Sequence, residues 1–281
     1  MPGGDMSPAF FARFVSRQPF AKLPKPTASF AGKTVIVTGS NVGLGLEASR
    51  HIINLGASKL IIALDLSSYA SVKAFAARAI RELPRLDVLL ENARVATGKW
   101  QFAEDNELML AVNVVSTFLL AFLLLPKMKA AANDSHFFVD FRERSAPEGI
   151  FNHMNVKENM NVMDRYPTSK LLEVYVVREM AARGGENYPV VTINMVNPGL
   201  CESELAREGI LQVRVMKFFL ARTTEAGSRT LVHRDNTLDR CKVESVATIV
   251  LNSEGQKAQQ RIWDELMAKL QKIEPGISGN L

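Results

Sequence analysis

Tyr166 and Lys170 stand four residues apart in Tyr-Pro-Thr-Ser-Lys, a spacing that puts both side chains on one face of a helix. A tyrosine that exchanges protons near neutral pH needs its ordinary pKa of about 10 lowered by roughly 3 units, on the order of 4 kcal/mol. A neighbouring ammonium does this by stabilising the phenolate. The spacing alone decides nothing, because Tyr69 and Lys73 repeat it. Position separates them. Tyr166 follows the fourth predicted strand, whose end borders a ligand crevice in an open α/β sheet, whereas Tyr69 opens a covering helix.

The other chemical feature is Thr38-Gly-Ser-Asn-Val-Gly-Leu-Gly45, which follows the β-branched run Thr34–Val37 and precedes an apolar-periodic stretch to Leu55. Buried strand, glycine turn and helix in that order form the context of a dinucleotide-binding fingerprint. Gly39, Gly43 and Gly45 permit a tight turn and close backbone approach. The helix N-terminus beyond them favours an anion such as a pyrophosphate.

These groups need a sheet to position them. Further buried strands are predicted at 59–66, 86–92, 135–141 and 189–196, the last stopped by Asn197-Pro-Gly. Helices are predicted at 71–82 (capped by Ser67 or Ser68), 105–131, 167–183, 200–221, 225–233 and 254–273, and residues 142–163 form an active-site-side loop. Alternating strands and helices imply a doubly wound, Rossmann-type parallel sheet covered on both faces. Gly39, Asn92, Asp140 and Pro198 fall at strand ends, where such sheets hold ligands. Residues 1–32 read as an N-terminal arm, and 33–281 as one domain.

Composition narrows the rest. An apolar share of 47% and a charged share of 22% are globular values. The net charge of +5 is spread along the chain, without the basic patch that nucleic-acid binding requires. Cys201 and Cys241 build neither a disulfide framework nor a zinc site by themselves, which fits a reducing, cytoplasmic setting. His51, His136, His153 and His233 lack ligand spacing, so no metal site is expected. Leu108 to Leu125 carries no charge over eighteen residues, but Asn113, Ser116 and Thr117 favour a buried core helix over a membrane span. Phe10, Phe11, Phe14 and Val15, beside Arg13 and Arg17, form at most one amphipathic turn of the arm. Glu91 and Asp140 could face each other at neighbouring strand ends, although structural or solvated roles are commoner. Cys201 reads as a buried small residue.

Thr38-Gly-x-x-x-Gly-x-Gly, Asn92-Ala, Asn113, Tyr166-x-x-x-Lys170 and Asn197-Pro-Gly, in that order, resemble the short-chain dehydrogenase/reductase family, nearest its fungal, retinol-dehydrogenase-like branch. The resemblance runs from Lys33 to the C-terminus. It implies a single domain that binds NADP, with NAD as the alternative, and passes hydride between a hydrophobic alcohol and its ketone or aldehyde, in fungal secondary metabolism. Tyr166 would be the proton donor or acceptor. Lys170 would tune it and hold the nicotinamide ribose, and Asn113 would support a proton-relay water. Thr38, Gly39, Gly43, Leu44 and Gly45 would hold the phosphates, with Asn92 lining the cofactor and Asp65 beside the adenine. Pro198, Gly199 and Leu200 would border the nicotinamide. A homodimer or homotetramer would form through the helices of Asn113 and Tyr166.

The departures from the family pattern matter equally. Its Asn-Asn-Ala-Gly is here Glu91-Asn-Ala-Arg94, with a long cation where backbone normally packs close. Relatives carry a further helix and strand between the second strand and Asp65, and the usual cofactor-selecting residues go with them. Asp65, twenty residues after Gly45, would by spacing alone be an acid on the ribose hydroxyl; the block Asp65-Leu-Ser-Ser resembles the adenine-side segment instead. The catalytic serine expected after the fourth strand is absent from Val139-Asp-Phe141. Ser145, 21 residues before Tyr166, replaces it only if its loop folds back. A catalytically impaired protein of the same descent is therefore the alternative reading.

Overall fold

Strand β1, Thr34–Val37, is buried at every position because it lies inside the sheet with helices on both sides. The computed structural model describes residues 23–61, 64–131, 135–140, 149–159, 162–184, 191–202, 220–233, 238–239, 242–243 and 248–281. The N-terminal phenylalanine cluster, Ser145, Cys241 and most of the predicted helix 200–221 lie outside them.

Helix α1 spans Gly43–Asn54, strand β2 Lys59–Ile61, helix α2 Tyr69–Glu82 and strand β3 Val88–Glu91. Then come a two-stranded ribbon, β4 (Phe102–Ala103) and β5 (Asn106–Glu107), a π-helical turn at Leu110–Ser116 and helix α3 at Thr117–Ala130. Strand β6 is Ser135–Asp140, helix α4 Ile150–Met154, helix α5 Val162–Gly184, strand β7 Val191–Asn197 and helix α6 Thr224–Val232. Strands β8 (Leu238–Asp239) and β9 (Lys242–Val243) and helices α7 (Thr248–Leu251) and α8 (Ser253–Ile273) complete the order.

The sheet runs β2-β1-β3-β6-β7-β8-β9, parallel up to β8, with β9 antiparallel at the edge. Its order reverses between β1 and β3, the switch point at which such folds hold ligands. Alternate strand residues face opposite layers. Ile36 and Leu89 join the core beneath α2, α3, α5 and α8, while Val35, Val37, Val88 and Leu90 pack with α1 and α6. This is the doubly wound α/β sheet expected from the alternation.

Several boundaries differ from expectation, each for a physical reason. The predicted strand 59–66 is strand over Lys59–Ile61 and not over 64–66, and it is not fully buried, because among the described residues β2 pairs only with β1 and Lys59 stands exposed at the edge. The helix predicted to start at Asp105 starts five residues later. Glu104 turns the ribbon with a φ of 56°, and the Glu107 carboxylate then accepts from the N–H groups of Met109 and Leu110 (2.8 and 3.2 Å), capping the π turn. The loop 142–163 contains α4, and α5 begins ahead of Pro167. The cap of α2 is Ser68, whose hydroxyl accepts from the Ser71 N–H.

Among the described residues one helix, Leu110–Ala130, is long and apolar enough to cross a membrane, and 83% of its most apolar window is buried inside the fold. Its covering includes α8, where Trp263 meets Phe122 edge-on at 6.0 Å. At the other end, Leu23 and Phe30 are buried, so the last part of residues 1–32 lies against the body.

Candidate active site

The chain leaves β1 at Thr38 and is tied at once to the end of β3. The Thr38 hydroxyl accepts from the N–H groups of Asn92 and Ala93 (3.0 and 2.9 Å). The Asn92 amide in turn donates to the carbonyls of Thr38 and Gly39 (3.1 and 3.4 Å). Gly39 and Gly43 sit at φ values of 65° and 58°, which glycine adopts without strain. A Cβ on Gly45 would stand 2.2 Å from the Gly39 oxygen, so α1 can start this close to β1 only with glycine there. Val42 supplies no side-chain cap and the first turn of α1 carries no acid. Those N–H donors fit a pyrophosphate.

Asn113 lies fully buried in the π-helical turn, a rare conformation that recurs at functional sites. Its amide pairs with both backbone groups of Val95, accepting from the N–H (2.8 Å) and donating to the carbonyl (3.0 Å). It also donates to Ser169 Oγ at 3.0 Å, and that hydroxyl donates to the Tyr166 carbonyl at 2.8 Å. One side chain thus joins the segment after Asn92 to the helix of Tyr166. Tyr166 is half-buried, with the Lys170 ammonium 5.9 Å from its ring centre.

Behind the tyrosine lies a group of charges that the spacing does not reveal. Lys170 Nζ donates to Glu173 Oε1 at 2.6 Å, and both side chains are buried. Burial pushes the Glu173 carboxyl up to about 7, against the pull of Lys170 and Arg94. Glu91, also buried, has neither carboxylate oxygen hydrogen-bonded. Burial holds it well above the usual carboxylate range; Glu173 adds to the rise and Lys170 opposes it. The acid that bears on Glu91 is therefore Glu173; the side chain of Asp140 is outside the described ones. Arg94 donates weakly to Asn92 Oδ1 (3.4 Å) and bears on Glu173. The available sequence signal for Glu173 was a lone acid inside Leu171-Leu-Glu-Val-Tyr175.

A second buried ion pair holds the base of the tyrosine helix. Arg165, next to Tyr166, lies 3.3 Å from Glu107 and donates to the carbonyls of Gly98 and Lys99 (3.1 and 3.3 Å). Its guanidinium stands over Trp100 at 5.5 Å.

On the far side of the switch point, the turn after β7 places Gly199 at a φ of 76°, with its N–H on Asn197 Oδ1 (2.9 Å). Arg222 donates to the Pro198 carbonyl (3.2 Å). A Cβ on Gly227 of α6 would meet Cys201 Sγ at 2.3 Å and Leu44 at 2.9 Å. That glycine lets the phosphate-side turn and the Pro198–Leu200 turn approach the same helix, and it was missed in the sequence. Asp65 is exposed, and its carboxylate accepts from the N–H and hydroxyl of Ser67 (2.9 and 2.6 Å). Strand β6 ends at Asp140, with no serine at that point. Among the described residues no group of three or more His, Cys, Asp or Glu is placed to hold a metal ion.

A model of the short chain dehydrogenase family matches residues 56–136. The short chain dehydrogenase/reductase dmxR8 of Cryptosporiopsis sp. (strain 8999) is 43% identical, over 95% of this chain and 99% of that protein. The chain belongs to the short-chain dehydrogenase/reductase family. Another relative in this family, the short chain dehydrogenase atnD of Emericella nidulans, is 38% identical over 80% of this chain and 86% of that protein. The dmxR8 alignment runs over 321 positions against the 281 residues here, so that dehydrogenase carries segments this one lacks. The crystal structure of a protein from Mycobacterium Paratuberculosis has a similar fold, with a TM-score of 0.64 at 19% identity, covering 87% of this chain and 96% of that one. The family is one of oxidoreductases that use a nicotinamide dinucleotide and a small-molecule substrate.

Proposed function

We propose that the protein is an NADP-dependent oxidoreductase, with NAD as the alternative cofactor. It would interconvert a hydrophobic alcohol and its ketone or aldehyde in the cytoplasm, within fungal secondary metabolism. The observation that carries this reading is the Asn113–Ser169 link, which holds the Tyr166 helix against the segment leaving Asn92. The pathway assignment rests on the fungal relatives alone.

The bound nicotinamide supplies the hydride donor or acceptor. Thr38, Gly39, Gly43, Leu44 and Gly45 hold the phosphates at the start of α1. Asn92 keeps the glycine turn closed, Asp65 lies toward the adenine end, and Pro198, Gly199 and Leu200 border the nicotinamide end. Tyr166 gives or takes the proton at the substrate oxygen, Lys170 stabilises its phenolate, and Asn113 fixes the segment through which a relay water is supplied.

Titration calorimetry with NADPH and NADH tests the assignment: binding of either supports it, and no binding at millimolar concentration overturns it. With binding established, turnover that survives Tyr166→Phe unchanged removes Tyr166 from its role.

The end of β6 favours a second reading. With Asp140 where the family carries a serine, no hydroxyl orients the carbonyl oxygen from that strand, and loss of one such donor costs about 10²–10³ in rate. A cofactor-binding protein with little turnover gives binding in the calorimeter and none of the expected oxidation or reduction across a panel of apolar alcohols and ketones.

A further inference from the structure

Lys170 is not free to act on Tyr166 with its full charge. Its ammonium lies 2.6 Å from Glu173 Oε1, on the same helix and one turn further on. A second carboxyl group, Glu91 at the end of β3, is buried beside this pair with both oxygens lacking a hydrogen-bond donor. Among the described residues the charged groups that bear on these two acids are Lys170 from α5 and Arg94 from the segment after β3. Two acids and Lys170 are thus buried together beside the half-buried Arg94, where charges interact more strongly than at the surface.

We propose that Glu173, with Glu91, is a positioning residue that offsets the charge Lys170 presents to Tyr166 once the acids ionise, biasing the enzyme toward carbonyl reduction. The proposal rests on the oxidoreductase reading for its meaning, but not for its measurement. Reduction of a carbonyl consumes one hydride from the reduced nicotinamide and one proton from the tyrosine hydroxyl; the product is the alcohol. An oxidising enzyme needs the tyrosine as phenolate and is served by an ammonium with no counter-charge. Here the counter-charge is built in. Burial drives both carboxyl groups toward the neutral form, and the Glu173 charge adds to the rise at Glu91. As pH rises and Glu173 ionises, it cancels Lys170 as the tyrosine would begin to lose its proton.

The test needs neither cofactor nor substrate. Tyrosinate absorbance is followed through an alkaline titration of the full chain, and the Tyr166→Phe curve is subtracted to isolate Tyr166. Glu173→Gln keeps an oxygen for Lys170 and removes only the charge. It shifts the Tyr166 midpoint downward by about one pH unit, tenfold in proton affinity. Glu91→Gln shifts it in the same direction by less. An unchanged or raised midpoint in Glu173→Gln overturns the proposal. Should that variant not fold, as judged by circular dichroism, an unchanged midpoint in Glu91→Gln does the same. Failure of NADPH and NADH to bind would remove the oxidoreductase reading while leaving this titration to stand or fall separately.

Discussion

Asn113 Nδ2 and Ser169 Oγ lie 3.0 Å apart, and this contact fastens the π-helical turn to the helix of the tyrosine. The same amide satisfies both backbone groups of Val95. Asn113→Ala leaves a partly buried N–H and carbonyl of Val95 and the buried Ser169 hydroxyl each short of a partner, at about 1–3 kcal/mol for a stranded buried group. A melting curve followed by circular dichroism reads the loss as a fall in Tm of several degrees; an unshifted Tm would show that the amide is dispensable.

Gly45→Ala should be worse than a helix-favouring change has any right to be. Alanine is the better helix former, yet its Cβ would stand 2.2 Å from the Gly39 oxygen and 2.4 Å from the Asn92 amide. Backbone cannot step aside without opening the glycine turn. The expected result is a lower Tm together with loss of NADPH and NADH binding in the calorimeter.

Stability should depend on pH through Glu173. Its folded carboxyl sits at about 7, above the ordinary 4.5, so the folded state binds more protons than the unfolded state between those values. Stability therefore falls as pH rises through that window. Glu173→Gln, which resembles the protonated form, loses less stability than the parent chain as pH rises from 4 to 8. Urea denaturation of both proteins across this range checks the sign.

Trp263 of α8 is buried against Phe122 of α3, with the Arg183 guanidinium 5.0 Å above its ring. Arg178 and Glu179 of α5 also bond to Gln259 of α8 (2.9 and 2.7 Å). Association through the part of α3 and α5 that α8 covers would require α8 to move aside. Trp263→Ala removes about 3–5 kcal/mol of core packing and uncovers that face. Light scattering behind a sizing column should show larger species than the parent chain gives; an unchanged mass would mean that α8 stays docked without its tryptophan.

Much of the architecture was legible in short stretches of sequence, because burial leaves a local signature. β1 and β3 read as continuous apolar runs, since a central parallel strand is covered on both faces. The glycine turn, a serine cap at Ser67 or Ser68 and the Tyr166–Lys170 spacing are likewise properties of a few consecutive residues. What the tertiary structure alone decided concerns groups that are far apart in the chain. Only the strand order makes β2 an edge among the described strands. Only the fold brings Glu91 near Glu173, 82 positions apart, and encloses both. The protonation of a carboxyl group follows from what surrounds it in space, and neither its type nor its spacing carries that information. Tyr166 and Lys170 could be read as a pair from the sequence; that Lys170 is shared with a buried acid could not.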